Sequence, residues 1–339
     1  MIFYYPKSLY DNSARWHIFP LLKSLMKEEN NWAKNLSITE NIDEADCVIL
    51  PMSWNYYHTH NNIQEVLNYY KNLPNNRPIV SFVFGDFGVK VPKTFSGYVF
   101  RSNGGKSKQS SNHKGLPVFI EDPILKYFPN QDAIPKATSN KATVGFCGQA
   151  IKLGKNSIKE VLKTAVKNML SSIGYTKRDT EQLISTTYFR WKILNNLQKS
   201  DKVISNFILR KAYRAGVASE KDRLSTSIEF YNNIKDSDYV ICMRGAGNFS
   251  TRFYETLAMG RIPVFVNTDC LLPLESKINW KEHVVWVAYN ERHLVAEKVY
   301  KFHKKHDNTS LNNLFLANRK LWEEQLQLYP FFNTFFNED

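Results

Sequence analysis

The chain has 339 residues, 43% of them hydrophobic and 14% aromatic, and a formal net charge of +13. That is ample material for real cores and more chain than one core usually holds, so two domains are expected. Cys47, Cys147, Cys242 and Cys270 lie far apart and mostly inside apolar runs, which suits buried thiols in a reducing compartment better than a disulfide frame, and no CxxC or Cys/His zinc spacing exists.

In chain order, short apolar runs alternate with amphipathic stretches, the pattern of parallel α/β units. Residues 1–5, 47–51, 79–84 and 116–120 read as strands, with helices at 20–29 and 63–73 whose apolar residues recur at helical spacing. Residues 130–142 are polar, carry Pro135 and lack periodicity, so they read as a linker with a domain boundary near 138. Beyond it come a strand at 143–147, an amphipathic helix at 158–170 with Lys on its wet face, strands at 239–243, 262–266 and 284–287, and a helix at 250–259. Two closing helices are expected at 294–303 and 311–328, the second with Trp322 and Leu328 on an apolar face.

No basic segment followed by a long apolar one opens the chain, and no run approaches the roughly 18 apolar residues of a membrane span, so a soluble, cytoplasmic protein is expected. The positive charge attracts something anionic: nucleic acid, an acidic membrane surface or phosphorylated small molecules. The lysines are scattered, as on an ordinary solvated face, and no cluster of basic and aromatic residues marks a nucleic-acid surface.

The segment 244–252 joins a buried strand to a helix, and Gly245 and Gly247 let backbone approach a ligand closely. In an open parallel sheet the C-terminal strand ends face the ligand crevice, so this loop stands where a binding site belongs. Arg244 and Arg252 offer two permanent positive forks for a pyrophosphate, Asn248 and Ser250 add short hydrogen-bonding side chains, and Glu255 can accept from ribose hydroxyls. The same residues also suit a purely structural role: a tight turn at the glycines, a helix cap at Ser250 and an Arg252–Glu255 pair one turn apart.

The run Ser237-Asp238-Tyr239-Val240-Ile241-Cys242-Met243-Arg244-Gly245-Ala246-Gly247-Asn248-Phe249-Ser250-Thr251-Arg252-Phe253-Tyr254-Glu255, continued by Gly260-Arg261-Ile262-Pro263-Val264, resembles the exostosin-like glycosyltransferases, family 47. Echoes occur at Leu272-Pro273, Ile278-Asn279-Trp280, Phe146-Cys147-Gly148, Phe189-Arg190 and 206–210; in the first half only Ala45-Asp46, Leu50-Pro51 and Gly85-Asp86-Phe87-Gly88 match. The resemblance implies an α/β protein of GT-B architecture, two Rossmann-like domains facing across a cleft. The first, 1–138, would take the acceptor and the second, 139–310, the donor, with a last helix at about 311–339 packing back on the first. It further implies inverting transfer from a nucleotide-diphosphate sugar, UDP-linked, to a glycan or lipid-linked saccharide, without a required metal or other cofactor. Carried over residue by residue, Arg244, Gly245, Gly247, Asn248, Ser250, Arg252 and Glu255 would hold the donor, with Gly148 and Arg190 on the same side.

Inverting transfer needs a general base near the acceptor hydroxyl. Asp86 is the first choice because it follows the strand at 79–84 directly and Gly85 and Gly88 free the loop around it; a turn or cap role is the alternative. Glu121 and Asp122 come next, then His58 and His60. Asp236-Ser237-Asp238 has the spacing of a metal-binding DxD but precedes its strand, away from the crevice, and reads as a turn. Gly105-Lys106-Ser107 mimics the end of a P-loop, yet the first glycine would fall on Phe100. The surrounding 101–115 reads as a polar, mobile loop on the acceptor side. His58 and His60 lack a third metal ligand at suitable spacing. Trp54, Tyr56 and Tyr57 suit either stacking on an acceptor sugar or burial between domains. Two competing functions stay open, a catalytically inactive sugar-nucleotide or glycan binder and a basic nucleic-acid-binding protein. A basic surface resting on an anionic inner leaflet is a further expectation.

Overall fold

A computed structural model describes residues 1–27, 35–74, 77–129, 136, 139–212, 216 and 219–337. The end of the helix expected at 20–29, most of the linker at 130–142 and the boundary near 138 lie outside the described residues. The first half builds one parallel sheet from β1 (Ile2–Tyr4), β2 (Ser37–Ile38), β3 (Cys47–Ile49), β4 (Ile79–Phe82), β5 (Tyr98–Arg101) and β6 (His113–Gly115), in the order β2-β1-β3-β4-β5-β6. Strands β3 and β4 are buried at every position, as continuous apolar runs in a sheet covered on both faces must be. Around them pack α1 (Pro20–Leu25), α2 (Trp54–Thr59), α3 (Ile63–Lys71) and α4 (Pro123–Tyr127).

The second half repeats the plan with β7 (Thr143–Gln149), β8 (Ile204–Arg210), β9 (Tyr239–Cys242), β10 (Ile262–Asn267) and β11 (Val285–Ala288) in the order β11-β10-β9-β7-β8, all parallel. Its helices are α5 (Lys155–Ser172), α6 (Thr186–Gln198), α7 (Glu220–Lys235), α8 (Thr251–Ala258), α9 (Trp280–His283) and α10 (Val295–Lys305). Numbered within its own half, the first sheet runs 2-1-3-4-5-6 and the second 2-1-3-4-5, the doubly wound order in which connections leave in opposite directions on either side of one strand pair. In the second sheet that pair is β7 and β9.

The chain then returns. α11 (Asn308–Leu321) passes through a π-helical turn at Trp322–Leu326 into α12 (Leu328–Phe336), so the single helix expected at 311–328 is two helices with a wide turn between them. α12 lays Phe331, Phe332 and Phe335 on Phe100 of β5, at ring-centroid distances of 5.8, 5.3 and 4.8 Å. Fully burying a Phe stabilises by roughly 1.5–3 kcal/mol, so the three rings seal that face of the first sheet. Arg319 of α11 forks onto Asp122, the N-cap of α4, and donates to Ala258 O at 2.6 Å.

Three expectations are corrected. The expected strand at 116–120 is not one: Pro117 has no N–H to give a ladder, and pairing with β5 falls to the preceding His113–Gly115. Trp54, Tyr56 and Tyr57 are buried inside the first domain and offer no sugar-stacking face; Trp54 Nε1 donates to Ser81 Oγ at 2.9 Å, and Tyr57 OH accepts from Met52 N at 3.1 Å. Residues 101–115 are not a free polar loop but begin as β5, end as β6 and anchor on the second domain between.

Candidate functional site

β7 and β9 end side by side in the middle of the second sheet, and the connection from β9 to α8 crosses their C-terminal edge. This is the 244–250 segment, closed by a Gly245 N to Phe249 O hydrogen bond of 2.9 Å. Its glycines do different things. A Cβ on Gly247 would overlap the backbone carbonyl of Asp86, so glycine is what lets the first domain's 84–88 loop lie directly on this one. A Cβ on Gly148, at the end of β7, would come within 2.9 Å of Arg252 Nη2, so glycine there makes room for the guanidinium. Around Gly245 the space is open, and its nearest charged neighbour is Arg190 Nη2 at 3.9 Å from the position a Cβ would take.

Three arginines converge on this edge. Arg252, in the first turn of α8, lies over the Phe146 ring at 4.2 Å and donates to Cys147 O at 2.7 Å. Arg190 of α6 donates to Arg244 O at 3.0 Å, and Arg244 itself is almost fully buried, held by Glu181 Oε2 at 2.8 Å and Ala246 O at 3.2 Å. Arg190 Nε, Arg252 Nε and both Nε and Nη1 of Arg244 are buried without a hydrogen-bond partner in the protein. Burial, and then the charge of Arg252 beside it, push the Arg190 pKa down to about 10. Buried donors of one sign and mutually repelling guanidinium groups make a place where an anion gains more than water offers.

The other expected residues divide. Glu255, one turn further along α8, accepts from Tyr231 OH at 3.2 Å, and its charge acts on Arg252. Ser250 is the N-cap of α8 but makes no side-chain capping bond. Asn248 points into the fold. Its amide donates to Gly104 O at 2.8 Å and Asp269 O at 3.0 Å and accepts from Thr268 Oγ1 at 2.7 Å, which leaves nothing for a donor molecule and corrects the ligand role expected of it. Asp238 is buried against Lys136 Nζ at 2.7 Å and Thr143 N at 2.8 Å, at the far end of β9 from this edge.

Across the cleft, Asp86 is exposed on the loop after β4. Gly85, at a φ of 82°, bends the loop, and Asn103 Nδ2 holds its carbonyl at 2.6 Å. Phe87 lies 3.5 Å from the Arg178 guanidinium of the second domain and lines, with Arg244, Ala246, Glu181 and Lys167, a cavity of about 160 Å³. Asp122 and Glu121 lie elsewhere, Asp122 committed to Arg319 and Glu121 to Lys126. His58 bonds Lys90 O at 2.7 Å, and His60 stacks on Tyr56.

Arg210, the last residue of the 206–210 echo, closes β8 opposite Gln149, its Nη2 shared between Thr226 O at 3.0 Å and Glu229. One residue at the cleft has no signal in the sequence. In the first domain His17 bridges the corresponding strand ends: its Nδ1 is 2.7 Å from Ser53 Oγ, its ring packs 5.2 Å from Phe84, and burial followed by the nearby His60 lowers its pKa. A lone histidine in a polar stretch carries no periodic signal, so only the fold reveals it.

The floor of the cleft is an ion pair. Arg101, fully buried at the end of β5, pairs with Asp179 of the second domain. Its Nε donates to Asn103 O at 3.0 Å, Nη1 to Gln109 Oε1 at 2.8 Å and to His113 Nδ1 at 3.2 Å, and Nη2 also to Asn103 Oδ1 at 3.0 Å. A Cβ on Gly88 would overlap both partners of the pair. Beside it Ser107 N and Oγ reach Asp269, at 3.1 Å to Oδ1 and 2.7 Å to Oδ2, and Lys106 N donates to Asp269 O at 2.9 Å.

Two parallel α/β domains with an arginine-lined, glycine-rich edge facing the loops of the other define a protein of the GT-B class. The Exostosin GT47 domain matches residues 103–300, more than half of the chain, and the protein belongs to that family. It is 34% identical to Exostosin-1 of Drosophila melanogaster over 67 residues, which are 20% of this chain and 9% of that protein. Among solved structures it overlaps Staphylococcus aureus TarM bound to Fondaparinux, α-GlcNAc-glycerol and UDP at a TM-score of 0.39 and 10% identity, covering 86% of this chain and 54% of that one. WaaG, a glycosyltransferase of lipopolysaccharide biosynthesis, overlaps at a TM-score of 0.34 and 9% identity with 100% coverage of both chains. The chain therefore spans about half of TarM and a small part of the fly relative. Overlaps this loose add nothing to the assignment, which rests on the family match.

Removing one partner of a buried pair strands the other charge, so Asp179→Ala is expected to destabilise the protein by about 3–5 kcal/mol in urea denaturation; a loss below about 1 kcal/mol would show that Arg101 finds equal partners elsewhere. Burial, then the Arg101 charge, lower the His113 pKa from 6.5 to about 4. The unfolded chain takes that proton near pH 6.5 and the folded one only near 4, so stability is lost as pH falls through this window and levels off below it. The denaturation midpoint should drop across that range in wild type and drop less in His113→Gln; equal slopes would refute the linkage.

Proposed function

We propose that the chain transfers a sugar with inversion from a UDP-linked donor to a glycan or lipid-linked saccharide, in polysaccharide or glycan synthesis, with no resident metal. The supporting observation is the set of four partnerless guanidinium nitrogens on Arg190, Arg244 and Arg252 at the β7/β9 edge. A diphosphate seated there receives charge-assisted hydrogen bonds that strengthen as the sugar departs and negative charge grows, which is the work a metal ion does elsewhere. Gly148 and Gly247 keep the edge open, the α8 N-terminus beside Ser250 adds backbone donors, and Glu255 lies one turn on for a ribose hydroxyl. Asn248 serves by fixing the loop to Gly104 instead of touching the donor.

Asp86 is proposed as the base. It takes the proton of the acceptor hydroxyl while that oxygen bonds to the sugar's anomeric carbon and the bond to the diphosphate breaks on the opposite face, the electron pair leaving with the diphosphate. The observation favouring it is that its own backbone carbonyl rests against Gly247, so the loop that bears it is already at the donor edge. His17 is the second reading, since a ring kept neutral by burial beside Ser53 can also accept a proton.

Calorimetry with UDP should show binding that is indifferent to magnesium and weakened about 10- to 100-fold in Arg252→Ala, the effect of losing a charged hydrogen bond. Unchanged affinity would move the donor site off this edge, and oligonucleotide binding without nucleotide binding would overturn the transferase reading. Asp86→Asn should cut kcat by about 10²–10⁴ with UDP affinity intact. If Asp86→Asn turns over normally and His17→Gln does not, the base is His17.

A further inference from the structure

Helix α5 is packed inside out. Its polar residues Ser157, Glu160, Thr164, Asn168 and Ser171 recur at helical spacing on the side that meets the protein. Glu160 accepts from Ser185 Oγ at 2.7 Å and Thr186 N at 3.3 Å, and Asn168 exchanges two bonds with the Glu181 backbone at 2.7 and 2.8 Å. Ser171 donates to Arg178 O and its carbonyl accepts from Lys90 Nζ at 2.6 Å. The opposite side carries the apolar residues: Ile158, Leu162, Val166, Met169 and Ile173 are 55, 61, 53, 58 and 70% exposed.

A soluble helix with its apolar stripe outward is costly unless something covers the stripe. The apolar surface continues past the helix ends through Leu153 and Tyr175, and sideways into a groove of about 370 Å³ between α5, α6 and Tyr289, lined by Leu153, Ile158, Leu162, Leu183, Tyr188 and Phe189. Along one flank stand Lys155, Lys159, Lys163 and Lys167, one per turn and all exposed. The one acid of the helix, Glu160, faces inward, so the outward surface has a single sign.

We infer that the outer face of α5 is a docking surface for a fluid bilayer bearing anionic headgroups. An apolar stripe flanked by a lysine row is the chemistry of a helix lying in the membrane interface, with its apolar side chains below the headgroups and its ammonium groups among the phosphates. At 18 residues the helix is about 27 Å long and would lie flat. Among the described residues no helix is long and apolar enough to cross a membrane, so contact through this face leaves the protein on the surface. Lys163 and Lys167 also line the cavity between Phe87 and Arg244, which puts the cleft mouth beside the bilayer plane. Charge complementarity selects lipid over a second copy of this chain, because two like lysine rows would face each other in a symmetric pair.

The test is flotation of the full chain with vesicles of phosphatidylcholine alone or with about one third phosphatidylserine, at low and high salt, for wild type, Leu162→Glu/Met169→Glu and Lys155→Glu/Lys159→Glu. None of these residues touches the proposed donor edge, and unchanged melting and UDP binding will show that the variants fold. Wild type should float with the anionic vesicles at least tenfold more than with neutral ones, lose this at high salt, and lose it in both double variants. Equal flotation of wild type and the Leu162→Glu/Met169→Glu variant would overturn the inference. So would a wild-type dimer in lipid-free solution that this variant turns to monomer, since the face would then be an interface between copies. The readout involves no catalysis, so it stands or falls separately from the transferase reading.

Discussion

Arg101 ends β5 with a guanidinium carried wholly out of water, and the five N–H groups it brings must be met by protein. They are met by both halves of the molecule at once: Asn103, Gln109 and His113 from the first domain and Asp179 from the second. A buried charge tolerates little displacement of its partners, because each bond lost there is not replaced by solvent. The two domains are therefore registered to each other at this point. That register places the 84–88 loop on Gly247 and carries Gly104 within reach of Asn248.

Glycine recurs at this junction for one reason, close approach. Gly88 admits the ion pair, Gly247 admits the Asp86 carbonyl, and Gly148 admits the Arg252 guanidinium. The arginines above them are stacked, Arg252 over Phe146 and Arg178 over Phe87, so their planes are set before any ligand arrives. Positive charge held in fixed orientation, with part of its hydrogen-bonding capacity unused, suits the binding of an anion better than flexible lysines would.

Much of this was legible in the sequence where burial is uniform. β9 and all of β10 but its last residue are buried and read as unbroken apolar runs, β4 is broken only by Ser81, and the loop after β9 announces itself by two glycines and two arginines at the end of such a run. Where structure is carried by polar side chains the reading fails. β5 is four residues long and finishes in a charge, and β8 is half exposed along its length with Ser205, Asn206 and Arg210 in it. In α6 Tyr188 and Trp191 stand outside the buried face of Phe189, Ile193 and Leu197, and α7 is mostly polar, so neither shows a clean helical stripe. The segment 116–120 misled in the opposite direction: Phe119 is apolar because it packs beside Phe331, not because it sits in a ladder. Asn248 was recognised as special for the wrong reason, since an amide in a glycine loop looks the same whether it binds a ligand or the next loop.

The return of α12 to the first sheet sets an order on how this protein is made. Phe19, Phe82 and Phe100 belong to the part of the chain synthesised first, yet Phe19 and Phe100 meet Phe332 only after the whole of the second domain has been translated. Until then the nascent first domain presents an uncovered aromatic face to solvent or to chaperones. The usual vectorial logic, in which an N-terminal domain finishes folding while its successor is still on the ribosome, cannot operate here. The core of the first domain is completed only by a helix that the ribosome makes after every strand of the second.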